Sequence, residues 1–360
     1  MALITEAYTE EPKTAAANAP EQVAVLGAGS WGTALAVLLA HNRHSVRLWA
    51  RDALLIDRLT AERENKQYLP DISLPEDVLP TSSLQDALTN ASVVVFAVPC
   101  GAVRAVARQA AVFLSADANA NSSEVLLISA AKGLEERTGL RMSQVLAEIV
   151  GSPERIVALS GPNLAVEIAQ GMPSASVAAS VNIAAAYAVQ RLFSCQASPT
   201  FRVYTGQDVI GVELGGAIKN AIAIGAGVSD GLGYGDNSKA ALMTRGLTEA
   251  MRLGTALGAD SVTFLGLSGI GDLIATGVSR LSRNYRVGFA LGQGRTLGDI
   301  LLELGQVAEG VPTTHVLCEL AERAGVEMPL CFALRALLHE NHPAPELIRA
   351  LMLRPPKQED

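Results

Sequence analysis

One lysine lies in an apolar, glycine-rich stretch where a buried amine could serve as both acid and base. The stretch reads GVELGGAIKNAIAIGAG, and Lys219 and Glu213 are its only charged residues. Burial disfavours the ammonium form and lowers its pKa, so Lys219 could exchange a proton near neutral pH. Asn220 follows it and could donate a hydrogen bond to a substrate oxygen. The alternative is a lysine whose stem covers the core while its amine reaches water.

The neighbours of Lys219 on a helix indicate how much room surrounds its amine. They are Gly215 and Gly216 on one side and Ile222 and Ala223 on the other. Three of these four side chains are very small. We therefore expect free space beside the lysine that a substrate could occupy.

A second polar group follows in the segment GIGDLIATGVSRLSRNYRVG. Asp272 lies ten residues before the run Ser282–Asn284. The planar guanidinium of Arg283 suits a phosphate, and the flanking serine and asparagine add neutral hydrogen bonds. Asp272 could orient Lys219 across a cleft. The alternative is a helix cap followed by a solvated basic turn.

A glycine fingerprint near the start of the chain predicts a dinucleotide site. In VLGAGSWGTALA, Gly27, Gly29 and Gly32 have the spacing GxGxxG, directly after the predicted strand QVAVL and at the start of a predicted helix. The first glycine permits a tight turn, the second lets a pyrophosphate approach, and the third lets helix and strand pack closely. The helix N-terminus then faces the phosphates. The alternative is a tight turn without a ligand.

The residues after the second predicted strand bear on cofactor choice. SVRLW is followed by Ala-Arg-Asp, with Arg51 before Asp52. An acid here favours NAD(H), and an arginine can hold the 2′-phosphate of NADP(H). The order of the two residues favours NADP(H), with NAD(H) as the alternative cofactor.

Strands and helices alternate through the first half of the chain. Further predicted strands lie at 92–99, 124–130, 155–161, 174–180 and 201–206, mostly separated by helical segments. This pattern predicts an α/β fold with a Rossmann-type, mostly parallel sheet. Ligands of such folds bind beyond the carboxyl ends of the strands. Lys132 and the run Gly161–Asn163 follow two of these ends, although Lys132 could also be an ordinary loop lysine.

After about residue 206 the sequence predicts helices alone. We therefore expect a tail at 1–20, predicted to be disordered, a dinucleotide-binding domain at 21–206 and an all-helical C-terminal domain at 207–360. GLGYGDNSKAAL, at 231–242, is glycine-rich and predicts a flexible loop between helices.

Composition narrows the range of functions. The net charge of −8 disfavours a general nucleic-acid or membrane surface. The scattered cysteines and histidines predict no metal site. The N-terminal residues have the features of neither a signal nor a transit peptide, and no apolar run approaches the roughly 20 residues that span a bilayer. A soluble, cytoplasmic protein is expected.

Seven motifs together carry a family resemblance. In chain order they are GAGSWGTALA, SAAKGLE, LSGPNLAVEIAQG, GVELGGAIKNAIAIGAG, GIGDLIATG, SRNYRVG and VAEG. Over about residues 21 to 340 the chain resembles bacterial-type NAD(P)-dependent glycerol-3-phosphate dehydrogenases. The lysine motif and the GDL…SRN segment are the specific parts, since the glycine fingerprint fits many dehydrogenases.

The resemblance implies roles for matching residues. Lys219 would be the proton acceptor, and Lys132 would lie between cofactor and substrate. Further dinucleotide contacts would be Ser30, Trp31, Arg51, Ala165, Val307 and Glu309. Further substrate contacts would be Gly161, Asp272, Ser282, Arg283 and Asn284, with Arg283 also near the cofactor. Many members have Ser or Thr where this chain has Asn163, whose amide can still donate a hydrogen bond.

The implied reaction interconverts dihydroxyacetone phosphate and sn-glycerol 3-phosphate with NAD(P)H, and its product would feed phospholipid synthesis. A homodimer is compatible with the sequence. Two alternatives stay open. One is another two-domain reductase, such as a β-hydroxyacid dehydrogenase or ketopantoate reductase, although the basic groups favour a phosphorylated substrate. The other is a non-catalytic dinucleotide sensor, which would not need Lys219.

Overall fold

The computed structural model describes residues 20–114, 125–194, 200–305, 307–356 and 358. The predicted tail, apart from residue 20, lies outside the described residues.

The first half of the described chain is built on a mostly parallel sheet. Its strands are β1 (Gln22–Leu26), β2 (Ser45–Trp49), β3 (Glu64–Asn65), β4 (Leu69–Ser73), β5 (Val78–Thr81), β6 (Val93–Phe96), β7 (Leu126–Ser129), β8 (Ile156–Ser160), β9 (Ser174–Ala179) and β10 (Phe201–Gly206). Eight of them form one sheet in the order β10-β9-β8-β7-β6-β1-β2-β5, while β3 and β4 form a separate antiparallel pair. Within the large sheet only β8 and β9 pair antiparallel.

Helices cover both faces of this sheet. They are α1 (Ser30–His41), α2 (Ala53–Glu62), α3 (Leu84–Leu88), α4 (Cys100–Ala111), α5 (Met142–Val150), α6 (Ala165–Ala169) and α7 (Ile183–Phe193). Alternate residues of β1 show why the strand is apolar throughout. Val23 and Val25 belong to one hydrophobic cluster, and Ala24 and Leu26 belong to another. Because strand side chains alternate between faces, both faces of the sheet are buried.

The second half of the described chain is helical and is organised around one long helix. Its helices are α8 (Val209–Gly231), α9 (Asp236–Ala256), α10 (Asp272–Val278), α11 (Arg283–Gly292), α12 (Leu297–Leu304), α13 (Gly310–Ala324), α14 (Pro329–His339) and α15 (Ala344–Met352). Helices α9, α10, α11 and α13 all pack against α8. Within the described residues, α8 alone is long and apolar enough to cross a membrane, so the expectation that no apolar run approaches that length was wrong. Of its most apolar window, 94% is buried inside the protein. It is the core helix of this half.

The predicted fold class is confirmed, with differences in detail. Strand β5 and the pair β3–β4 were not expected, because prolines in LPDIS and VLPT weaken the strand signal and suit edge positions. The loop predicted at 231–242 is much shorter, since α9 already begins at Asp236. The last strand ends at Gly206 and α8 begins at Val209. Division into domains at residue 206 stays a prediction.

Candidate active site

One buried carboxylate joins two lysines beyond the carboxyl ends of β7 and β8. Lys132 follows β7, while Lys219 comes from the middle of α8 and Asp272 is the first residue of α10. Asp272 Oδ2 lies 2.7 Å from Lys132 Nζ, and Asp272 Oδ1 lies 3.0 Å from Lys219 Nζ. The three elements therefore bring an acid and two amines together where α/β folds bind their ligands.

A threonine that was not expected from the sequence completes the surroundings of Lys219. Lys219 Nζ donates to Thr276 Oγ1 at 2.7 Å, and the threonine hydroxyl donates to Asp272 Oδ1 at 3.1 Å. Thr276 lies four residues after Asp272 on α10, so both side chains occupy one face of that helix. This spacing is the signal by which Thr276 could have been found.

Burial and neighbouring charges set the proton affinity of the lysine. Lys219 is only 8% exposed. Burial lowers its pKa to about 8, the Asp272 carboxylate opposes that decrease, and the positive charges of Lys132 and Arg283 add to it. Burial alone would raise the pKa of Asp272, but Lys132 and Lys219 outweigh it and hold that pKa below its usual value. A lysine ammonium with this pKa can exchange its proton near neutral pH.

Lys132 is held in place by the first residue after β8. Its Nζ donates to the Gly161 carbonyl oxygen at 2.6 Å. Gly161 has φ +146°, and a Cβ there would lie 2.9 Å from the Ser176 Cα atom. Only glycine fits this turn without strain. Gly161 thereby presents its carbonyl to the lysine.

The space beside Lys219 does not match the expectation from its glycine neighbours. A Cβ on Gly215 would lie 2.7 Å from the Ser268 carbonyl oxygen, and one on Gly216 would lie 2.7 Å from Ser160 Oγ and 3.6 Å from Lys132 Cγ. The expectation of an empty pocket there was wrong. These glycines instead allow α8 to pack closely against the segment before α10 and the end of β8.

The run Ser282–Asn284 opens α11 and is tied to its neighbours. Ser282 Oγ accepts from the backbone N–H of Tyr285 at 3.2 Å and so caps the helix. Asn284 donates to Asn220 Oδ1 at 2.8 Å and accepts from the backbone N–H of Gly310 at 2.9 Å. These contacts fix the first turn of α11 against α8 and α13. The substrate contacts of Ser282, Asn220 and Asn284 stay predictions.

Two side chains at the site keep groups available for a ligand. Arg283 is exposed at the start of α11, yet its charge reaches Lys219. Asn163 Oδ1 accepts from Ser176 Oγ at 2.6 Å, while its buried Nδ2 has no hydrogen-bond partner among the described residues. Because a buried polar group normally has a partner, this amide is a candidate donor to a ligand.

The glycine turn between β1 and α1 fits a dinucleotide. Gly27 has φ +123°, and a Cβ on Gly32 would collide with the Gly27 carbonyl oxygen at 1.8 Å, so both are needed for the turn itself. A Cβ on Gly29 would meet no atom within 4 Å. No side chain caps the first turn of α1, which suits an anionic group. The buried Nε1 of Trp31 has no partner in the described part of the chain.

Other predicted dinucleotide contacts lie around this turn. The Asp52 side chain caps α2, which leaves Arg51, exposed, as the charged residue available after β2. Ser30 Oγ donates to the Tyr68 carbonyl oxygen at 2.6 Å, and Ala165 begins α6, which packs against α1. Any ligand contact of these residues stays a prediction.

Residues before α13 reach across to the sheet half. Both Glu309 oxygens bind Cys100 at the start of α4: Oε1 accepts from its backbone N–H at 3.1 Å and Oε2 from its thiol at 2.6 Å. No local sequence signal predicts this link. Val307 is 46% exposed nearby in the chain. The dinucleotide contacts of Val307 and Glu309 stay predictions.

Comparison with known proteins decides the family. The family model described as NAD-dependent glycerol-3-phosphate dehydrogenase N-terminus matches residues 22–186, and the family model of the C-terminus matches residues 208–349. The chain belongs to the NAD-dependent glycerol-3-phosphate dehydrogenase family. The family resemblance predicted from the seven motifs is thereby confirmed.

Relatives match almost the whole chain. The glycerol-3-phosphate dehydrogenase [NAD(P)+] of Moorella thermoacetica is 48% identical, covering 93% of this chain and 96% of its own length. That of Geobacillus thermodenitrificans is 46% identical, with 94% and 96% covered. The crystal structure of glycerol-3-phosphate dehydrogenase from Coxiella burnetii has a TM-score of 0.87 and 36% identity, and covers 93% of this chain and 99% of that one.

More distant dehydrogenases share the fold alone. A putative ketopantoate reductase from Ralstonia solanacearum has a TM-score of 0.55 and 14% identity over 93% of this chain. This likeness covers the arrangement of sheet and helices. It does not support a ketopantoate substrate.

Proposed function

We propose that this glycerol-3-phosphate dehydrogenase interconverts dihydroxyacetone phosphate and sn-glycerol 3-phosphate with NAD(P)H, and that Lys219 transfers the proton. The observation that carries the proposal is the Asp272 carboxylate, which bridges Lys219 and Lys132. This group and the glycine turn after β1 both lie at the carboxyl ends of parallel strands of one sheet. When bound, the nicotinamide donates a hydride to C2 of the ketone or accepts one from C2 of the alcohol. The protein must then supply or remove one proton at the C2 oxygen.

Lys219 can do this in both directions. Reduction uses its ammonium form, which donates a proton to the oxygen that gains negative charge, and oxidation uses the neutral amine. With a pKa of about 8, both forms are present near neutral pH. Asp272 and Thr276 keep the amine oriented, because both contact Nζ and the threonine hydroxyl also donates to the carboxylate. The second ammonium, on Lys132, would stabilise negative charge on the substrate oxygen.

The phosphate of the substrate would bind at the start of α11. Arg283 offers a planar pair of donors, and Ser282 and Asn284 flank it. The free Nδ2 of Asn163 would donate to a substrate oxygen at the other side of the site. In this arrangement the basic groups select a phosphorylated ketone over an unphosphorylated one.

The dinucleotide would be held mainly by the sheet half. Its pyrophosphate would lie against Gly29 and the first turn of α1, where the backbone faces open space. Trp31 would provide a donor, and Arg51 would hold the 2′-phosphate of NADP(H). Ser30, Ala165, Val307 and Glu309 would complete the contacts.

One assay tests the proposed function directly. The purified protein with NADPH should lose absorbance at 340 nm on addition of dihydroxyacetone phosphate and not on addition of ketopantoate. Turnover of ketopantoate alone would favour the other reductase class. NADPH binding without turnover of any ketone would indicate a sensor.

The cellular setting is part of the proposal. The glycerol 3-phosphate formed would enter phospholipid synthesis, the protein would work in the cytoplasm, and it would form a homodimer. Fractionation of cells and analytical ultracentrifugation test the last two statements. A membrane-bound fraction or a monomer at micromolar concentration would contradict them.

A further inference from the structure

Three exposed arginines follow one another at the start of α11. Arg280, Arg283 and Arg286 are spaced by three residues, and all three are exposed. Between Asp272 and Asp299 the chain has these three and Arg295 but no acidic residue, although its overall net charge is −8. We call the first three the arginine rim. The rim is a local positive region on an acidic protein.

The rim arginines lack the carboxylate partners that several other arginines of this protein have. Arg104 pairs with Glu135 at 2.6 Å, Arg335 with Glu322 at 2.8 Å, and Arg295 with Glu303. Within the residues that the structure describes, no rim arginine has a carboxylate within ion-pair distance or a side-chain hydrogen bond. The charges of Arg280 and Arg286 are therefore not paired with a carboxylate and act on approaching ions, whereas the charge of Glu309 reaches Arg283.

The position of the rim relates it to the candidate active site. The charge of Arg283 lowers the pKa of Lys219, so this member lies within electrostatic reach of the amine. Burial and Asp230 raise the pKa of Tyr285, in the first turn of α11, to about 12, and the charge of Arg280 opposes that rise. Arg286 follows Arg283 by about one helical turn. In sequence, the two outer arginines thus flank Arg283, the residue predicted to bind the phosphate.

We propose that Arg280 and Arg286 attract the dianionic phosphate ester to the site without touching it, while Arg283 binds it. The inference rests on the proposed function for the class of ligand. It assigns to the two outer arginines a role that follows from their exposure, their missing partners and their position beside Arg283. Long-range attraction of this kind depends on ionic strength, which distinguishes it from a direct contact.

The expected size follows from Coulomb's law. We consider a dianion about 10 Å from each of two arginines in water. At 10 mM salt the Debye length is about 30 Å, and removing both charges weakens binding about eightfold. At 150 mM salt the Debye length is about 8 Å, and the same change weakens binding about twofold. At 0.5 M salt the difference should disappear. A lost hydrogen bond would instead persist at high salt.

The test uses a double variant, Arg280→Gln with Arg286→Gln, and two controls. Arg280→Lys with Arg286→Lys keeps the charge and removes the guanidinium. Arg43→Gln removes an exposed arginine just before the amino end of β2, whereas the site lies beyond the carboxyl ends of the parallel strands. Binding of sn-glycerol 3-phosphate by calorimetry and kcat/KM for dihydroxyacetone phosphate at saturating NADPH are measured at 10 mM, 150 mM and 0.5 M ionic strength. NADPH binding is measured alongside, and melting curves verify folding.

The proposal predicts that only the glutamine double variant loses the salt-dependent part of phosphate-ester binding, while the lysine variant and Arg43→Gln resemble the wild type. A single salt dependence shared by all four proteins would overturn it. An effect confined to NADPH would overturn the assignment to the substrate. Failure of the proposed function would be distinct, because it would appear as binding of the ester without turnover.

Discussion

Replacing Asp272 by Asn tests how the structure tunes Lys219. The carboxylate lies 3.0 Å from Lys219 Nζ and opposes the decrease in pKa that burial causes. Without it, the pKa of Lys219 should fall further from about 8. Even with an effective dielectric constant of about 20 and partial relaxation, a charge this close should contribute more than about one pKa unit, or about 1.4 kcal/mol.

The direction of the effect on the reduction rate depends on which protonation form of Lys219 reacts. Reduction needs the ammonium, so its rate falls as pH rises through the pKa of Lys219. A pKa lower by about one unit leaves the protonated fraction almost unchanged at pH 6 and reduces it about fivefold at pH 8. The variant should therefore lose about five times more activity at pH 8 than at pH 6, beyond any uniform loss from misorientation.

Single-turnover reduction of dihydroxyacetone phosphate between pH 5.5 and 9 is the appropriate assay, because product release does not mask it. Thr276→Val is the matched control: it removes a hydrogen bond to Lys219 and leaves all charges, so its profile should shift little. An Asp272→Asn profile with the wild-type midpoint, or with a higher one, would refute the reasoning.

Two further predictions concern ligand binding. Arg283→Ala should raise KM for dihydroxyacetone phosphate about 10- to 100-fold, because a charge-assisted hydrogen bond contributes about 1.5–3 kcal/mol; an unchanged KM would remove Arg283 from the phosphate site. Arg51→Ala should raise KM for NADPH and barely change KM for NADH. Steady-state kinetics with both cofactors check this, and an equal change in the two KM values would contradict a role of Arg51 in selecting NADPH.

Much of the fold could be predicted because its signals are local. Strand β1 is a short apolar run directly before a glycine turn, and the helical stretch around Lys219 lacks any strand pattern. The antiparallel pairing of β8 with β9 is different. It depends on how the segment between these two consecutive strands returns the chain to the sheet, and neither strand's own sequence records its direction.

The residues of the site also divide into those with a local sequence signal and those that only the packing reveals. Lys219 and Asp272 were recognisable as charged residues in apolar surroundings, and the structure brings them together as expected. Thr276 was missed because a threonine in a helix is unremarkable until its partners are known. The role of Gly216 was misread, since a small residue can mean empty space or a close neighbour, and only packing distinguishes them. The bond from Cys100 to Glu309 joins residues 209 positions apart and has no local signal.

Turnover by Lys219→Met tests the central claim most directly. Methionine keeps much of the apolar stem and removes the amine, while Asp272 retains Lys132 as its ionic partner. If Lys219 transfers the proton, kcat for dihydroxyacetone phosphate should fall about 10²- to 10⁴-fold. NADPH binding should persist, because the glycine turn lies in the sheet half, and the melting curve should stay close to that of the wild type. Near-wild-type turnover in a folded, NADPH-binding variant would contradict the account.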